Sequence, residues 1–345
     1  MLISEHGGDI YSRQIEYDFS ANLNPLGMPE SVISVLKKSV GEWESYPDPL
    51  CRNLRCALSE YEDFPAENIV CGNGAADLIY RLVSAVKPKK AVITAPGFSE
   101  YEKALKENGS QIIKHYLSEK NSFMVDSGIS GVLDNSIDML FLCNPNNPTG
   151  QLVPKDVLKA VAEKCLENDI VLVCDECFMP FVADSKSKSV RQFINKNVVI
   201  LNAFTKIYAM AGLRLGYTLF GNAELAEKLQ NTGQYWSVST PAQLAGIAAL
   251  QENVYIKKTV QLIKTEREFL VAELKKNGFE VYNSEANFIL FHCDLPLDEL
   301  LLNEKTAIRN CSNYDGLSDA YFRVAVRSRE ENTILISVIR RCLNG

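Results

Sequence analysis

Lys206 lies in the run NAFTKIYAMAGLRLGY (residues 202–217), just beyond the apolar stretch Val198–Leu201. Phe204, Ile207 and Tyr208 flank it. Such neighbours strip water from an ammonium, lower its pKa and free the amine for imine chemistry with a carbonyl. Eight residues on, Arg214 stands in GLRLGY, where glycines permit close backbone approach and a guanidinium fork suits a phosphate. Asp175 ends the apolar run Ile170–Cys174 and offers a carboxylate to a protonated ring nitrogen. CNPNNPTG (143–150) follows another apolar run and presents three amides, of which Asn147 suits a phenolic oxygen. GNGAAD (72–77) joins a strand to a helix, so Gly74, Ala75 and Ala76 expose backbone N–H groups at a helix start, a cradle for phosphate. Phe98, in APGFSEY, can stack on an aromatic ring. Each has an ordinary reading when taken alone: a solvated lysine, a capping aspartate, plain turns, a core phenylalanine.

The elements that would position them alternate. Short apolar runs at Ile69–Cys71, Ala91–Thr94, Met139–Cys143, Ile170–Cys174, Val198–Leu201 and Tyr217–Phe220 are separated by helical patterns at Ala75–Val86, Ser99–Glu107 and Lys155–Glu167. That alternation predicts an α/β fold with a mostly parallel sheet covered on both faces, with ligands meeting its carboxyl edge. After Gly221 the texture changes to long helical patterns near 241–251 and 254–277, strands near 287–293 and 320–326, and a last helix near 330–343. This predicts a large α/β domain over residues 36–230 and a smaller α+β domain over 231–345, with residues 1–35 packing on the latter.

The chain has 345 residues, 46% hydrophobic and 23% charged, with a formal net charge of -7. That balance suits a two-domain globular enzyme and argues against nucleic acid as a main partner. No apolar run reaches the roughly 20 residues that span a bilayer. Met1–Gly8 lacks the basic-then-apolar pattern of a secretory signal, which points to the cytoplasm. The ten cysteines form no CxxC pattern and read as buried thiols; with only His6, His115 and His292, no metal site is expected.

Taken in order, these motifs resemble those of fold-type I enzymes dependent on pyridoxal 5'-phosphate (PLP), the aminotransferase class I/II superfamily. Within it the chain looks most like the cobalamin-pathway threonine-phosphate decarboxylases, with histidinol-phosphate aminotransferases as near relatives. Three stretches carry the decarboxylase likeness: HGGDIYS with DFSANLNPLGMP near the start, DECFMPF with Phe178 where aminotransferases usually carry tyrosine, and IRNCSNYDGLSDAYFRVAVRSREEN. The resemblance implies that Lys206 carries the cofactor covalently and moves protons, Asp175 pairs with the ring nitrogen and Asn147 with the ring oxygen. It implies that Phe98 stacks on the ring, that Gly74, Ala75, Thr205 and Arg214 hold its phosphate, and that Tyr46 reaches the cofactor of a second subunit in a homodimer with shared sites. Arg323 would grip the substrate carboxylate, and His6, Gly7 and Asn22 would lie near the substrate, with Arg309 and Arg327 as further partners for its phosphate. The implied substrate is O-phospho-L-threonine or O-phospho-L-serine, decarboxylated to an aminoalkyl phosphate for a cobamide. Transamination of a histidinol-phosphate-like or aromatic amino acid is the alternative. A PLP-sensing regulator would need a DNA-binding module, and no helix-turn-helix pattern precedes His6.

The sequence departs from the family pattern in three places. Ala203 stands where a phosphate-binding serine is usual, which removes a hydrogen bond to a charged group worth roughly 1.5–3 kcal/mol. Pro180 replaces a common acidic residue, and Ser45 precedes Tyr46 where histidine is frequent.

Overall fold

The computed structural model describes residues 6–344; residues 1–5, which open the expected N-terminal segment, and Gly345 lie outside the described residues. The strands are β1 (Tyr17–Asp18), β2 (Ile69–Gly72), β3 (Lys90–Ala95), β4 (Gln111–Tyr116), β5 (Met139–Cys143), β6 (Val171–Asp175), β7 (Val198–Ala203), β8 (Gly216–Phe220), β9 (Glu280–Val281), β10 (Phe288–His292), β11 (Thr306–Ala307), β12 (Arg309–Asn310) and β13 (Tyr321–Ala325).

Seven of them form one sheet in the order β2-β8-β7-β6-β5-β3-β4. All neighbours pair in parallel except β8, which runs antiparallel to both β2 and β7. The sheet is therefore mostly parallel, as its apolar runs predict. The connection from β7 to β8, residues 204–215, contains only the short helix Phe204–Ile207 and a single turn at Ala211–Leu213. Without a covering helix to carry the chain back across the sheet, β8 returns antiparallel. Strands β5, β6 and β7 are buried on both faces. Alternate residues feed two cores: Phe141, Val173, Val199 and Leu201 pack with Leu78, Ile79 and Tyr101 on one face. Leu140, Leu172 and Ile200 pack with Leu158 and Val161 on the other.

A second, antiparallel sheet has the order β12-β13-β10-β9. The helix Asn253–Lys276 packs against the helix Arg329–Asn344 beside it. The N-terminal segment ties the two sheets together. β1 pairs in parallel with β11, the Ala325 N–H donates to the Phe19 carbonyl at 2.8 Å, and the Asn24 N–H donates to the Lys206 carbonyl at 3.1 Å. Among the described residues no helix is long and apolar enough to cross a membrane.

Candidate active site

Strands β2, β3, β5, β6 and β7 all end at one edge of the large sheet, and β8 begins there. The residues just past those ends line a cavity of about 200 Å³. Ala75 and Ala76 come from beyond β2, Phe98 and Tyr101 from beyond β3, Asn147 from beyond β5, and Asp175, Cys177 and Phe178 from the end of β6. Ala203, Thr205 and Lys206 follow from β7, and Arg214 leads into β8. The smaller sheet contributes Arg323 and the loop residue Tyr314, while the N-terminal segment brings His6, Gly7, Ser20 and Asn22.

At one end of the cavity the helix Gly74–Val86 begins against Arg214. Gly74 has φ +83°, and a Cβ there would lie 2.6 Å from the Arg214 guanidinium, so glycine alone lets backbone and arginine come this close. Exposed N–H groups, the helix dipole and a guanidinium then converge on one spot, an arrangement that suits a phosphate. Thr205 is buried beside it, and Ala203 in the lining contributes no hydroxyl.

Lys206 projects from the short helix after β7. Its pKa falls to about 8, first because burial penalises the ammonium and next because the Arg323 cation repels it. Asp175 is buried at the end of β6, with Oδ1 accepting the Cys177 N–H at 3.0 Å and Oδ2 accepting the Tyr101 hydroxyl at 2.6 Å. Of the three asparagines in the loop after β5, two hold the loop itself. Asn144 bonds Val153 and Lys188, and Asn146 bonds Pro96 and Thr149. Only Asn147 faces the cavity. Phe98 opens the helix Ser99–Glu107 and meets Tyr101 edge-on at 5.6 Å.

At the other end Arg323 is 5% exposed. It donates to Asn147 Oδ1, to the Tyr314 hydroxyl at 3.4 Å and to the Ser20 carbonyl at 3.0 Å. Among the described residues no carboxylate pairs with it, and its Nε has no partner. The buried Oδ1 of Asn22 likewise has none. A Cβ on Gly7 would fall 2.2 Å from the Ser20 carbonyl oxygen, so the segment behind His6 packs directly on the Ser20 backbone. The Glu100 carboxylate accepts from His6 Nε2 at 2.8 Å, and the His6 ring lies 5.7 Å from that of Phe98.

Four expected site residues stand outside this lining: Gly74, which packs against Arg214 at the helix start, and three more distant ones. Arg309 bonds Asn313 and lies over the Tyr314 ring at 5.8 Å, one layer behind the cavity. Arg327 is turned to Glu331, bonded through both Nε and Nη2, because the acid sits one helical turn away. Tyr46 is 79% exposed and stacks on Trp236 at 4.5 Å. Sequence reasoning missed Ser20, Tyr101 and Tyr314 as lining residues. Tyr101 had a signal, its i+3 spacing from Phe98 at a helix start; Tyr314 had none, since a loop of the smaller sheet delivers it.

A sequence profile of the family described as aminotransferase class I and II matches residues 15–339. The chain is 36% identical to a threonine-phosphate decarboxylase of Salmonella typhimurium, over 99% of this chain and 97% of that one. It is 33% identical to an adenosylcobalamin biosynthesis bifunctional protein of Leptospira interrogans, over 100% of this chain and 42% of that one. The fold matches a crystal structure of the histidinol-phosphate aminotransferase from Clostridium acetobutylicum with a TM-score of 0.88, at 32% identity, over 95% of this chain and 99% of that one.

Proposed function

We propose that this chain, which belongs to the class I and II aminotransferase family, is a PLP-dependent decarboxylase of O-phospho-L-threonine or O-phospho-L-serine that yields an aminoalkyl phosphate for cobamide synthesis. One observation carries the reading. In a chain of net charge -7, the cavity lining holds three cationic side chains, Lys206, Arg214 and Arg323, against one carboxylate, Asp175. Arg323 in particular is buried without an acid among the described residues. A buried cation without a counter-ion is costly, and an anionic ligand removes that cost.

The residues present fit the cofactor. Gly74, Ala75, Thr205 and Arg214 would hold its phosphate, Asp175 would pair with its ring nitrogen and Asn147 with its ring oxygen, Phe98 would stack on its ring and Lys206 would meet its carbonyl carbon. When bound, PLP supplies an electron-withdrawing ring that accepts the electron pair left at Cα when a bond there breaks. The protein decides which bond. Arg323 holds the substrate carboxylate through two N–H donors, while His6, Gly7 and Asn22 face the distal phosphate. Anchored at both ends, the substrate presents its Cα–carboxylate bond perpendicular to the ring. Phe178, 6% exposed and packed edge-on against Phe288 at 4.9 Å, adds no hydroxyl beside the ring oxygen. Lys206 then donates a proton to Cα in place of the departing CO2.

The reading includes a homodimer in which Tyr46 reaches the partner's cofactor phosphate, and a division near residue 230 between a cofactor domain and a smaller domain. The test is CO2 release from each phospho-amino acid by PLP-loaded protein without any keto acid. Release with either one supports the decarboxylase. Loss of amine from histidinol phosphate that requires 2-oxoglutarate and yields no CO2 would assign the chain to transamination instead.

A further inference from the structure

Asp175 does not stand alone behind the cavity. Its Oδ2 accepts the Tyr101 hydroxyl at 2.6 Å, and the Tyr101 ring is locked in place. That ring is 2% exposed, stacked on Phe141 with centroids 4.9 Å apart and planes 9° from parallel, and met edge-on by Phe98. With Oδ1 held by the Cys177 N–H, the carboxylate plane is fixed from both sides. What remains for a ligand is the set of lone pairs facing the cavity. Burial and the neighbouring carboxylate push the Tyr101 pKa well above its usual value, so the phenol remains a donor.

We propose that Tyr101 is a positioning residue that aims Asp175 at the protonated ring nitrogen of the cofactor, and so sets the strength of that contact. The inference rests on the PLP reading of the same cavity. Its physical basis is the cost of a buried acceptor without its donor. If the phenol is removed, Oδ2 loses the partner that holds it, and the carboxylate is free to rotate toward other donors. The ring-face contact and the ring-nitrogen contact then share one support, because Phe98 and Tyr101 lie within a single helical turn and touch each other.

The test uses the full-length protein freed of cofactor, with two probes: PLP and its analogue carrying a C–H in place of the ring nitrogen. Tyr101→Phe keeps the stack on Phe141 and removes only the hydroxyl. Wild-type protein is expected to prefer PLP over the analogue, and Tyr101→Phe to reduce that preference about tenfold, the order of one hydrogen bond to a charged group. Affinity for the analogue should stay within about twofold. In an Asp175→Asn background the same substitution should leave the preference unchanged. Equal losses for both probes would make Tyr101 a packing residue and overturn the proposal, as would an unchanged preference. If wild-type protein bound neither probe, the PLP reading itself would fail and take this inference with it.

Discussion

A lysine amine attacks a carbonyl only when it is neutral, so the Lys206 environment sets the pH at which the apoprotein captures PLP. Burial and the nearby Arg323 cation bring its pKa down to about 8. The neutral fraction therefore grows as pH rises through about 8 rather than through the ordinary lysine value of 10.5. The rate at which visible absorbance appears on mixing apoprotein with PLP should rise with pH and level off above that point. Arg323→Ala removes one repelling charge and should move the midpoint upward, while weakening amino-acid binding far more than cofactor binding. Lys206→Ala should show no such band at any pH. A midpoint that stays near the ordinary lysine value would mean that this amine is not held as described, and a band retained in Lys206→Ala would assign the chemistry to another lysine.

The loop that follows β6 is held by an acid adjacent to Asp175. Glu176 is buried; its Oε2 accepts the Ser189 hydroxyl at 2.6 Å and its Oε1 accepts the Val190 N–H at 2.8 Å, which pins residues 176–190 beneath the site. Burial raises its pKa from 4.5 to about 7, against the lowering effect of those two donors. Between these values the folded protein binds more protons than the unfolded chain, so this residue's contribution to stability declines as pH climbs from 4.5 to about 7. Glu176→Gln should abolish that decline; thermal midpoints of the two apoproteins across the window should diverge as pH rises, with the variant gaining. Parallel curves would show that Glu176 does not titrate there. Apolar runs made β5, β6 and β7 legible, because strands buried on both faces read as continuous hydrophobic stretches. β4 escaped notice because QIIKHY is an edge strand, half exposed and of mixed polarity. β8 was legible as a strand, but its direction was not, since periodicity carries no sense of polarity. The same physics divides the site. Lys206, Asp175 and Asn147 each follow a readable strand end, whereas Ser20, Tyr314 and Tyr101 arrive through packing between distant segments. Arg327 was named through the family resemblance as a further partner for the substrate phosphate, whereas Glu331 at i+4 was the local clue to the partner it has in the structure.

At the scale of the molecule, the cradle around Arg214 is built by one chain, yet Tyr46 lies outside that chain's own cavity lining. It is largely exposed, stacked on Trp236, and accompanied by exposed Val40, Trp43 and Tyr235. Exposed apolar groups of this size beside one another favour association. In the homodimer proposed here, each site draws its lysine from one subunit and its Tyr46 from the other. That arrangement makes activity divisible between subunits in a way that a self-contained site does not allow. Lys206→Ala has no amine in either site. Tyr46→Ala loosens the cofactor phosphate in both, so at limiting PLP it should be nearly inactive. When the two variants are mixed, dissociated and reassociated at random, half of the dimers are mixed. Each mixed dimer holds one site with both residues intact and one with neither, so about a quarter of wild-type activity should return. Recovery should track the fraction of mixed dimers, read by native mass spectrometry of differently tagged subunits. Mixed dimers that form without any recovery would show that Tyr46 serves its own subunit or none, and would remove the shared site from the mechanism.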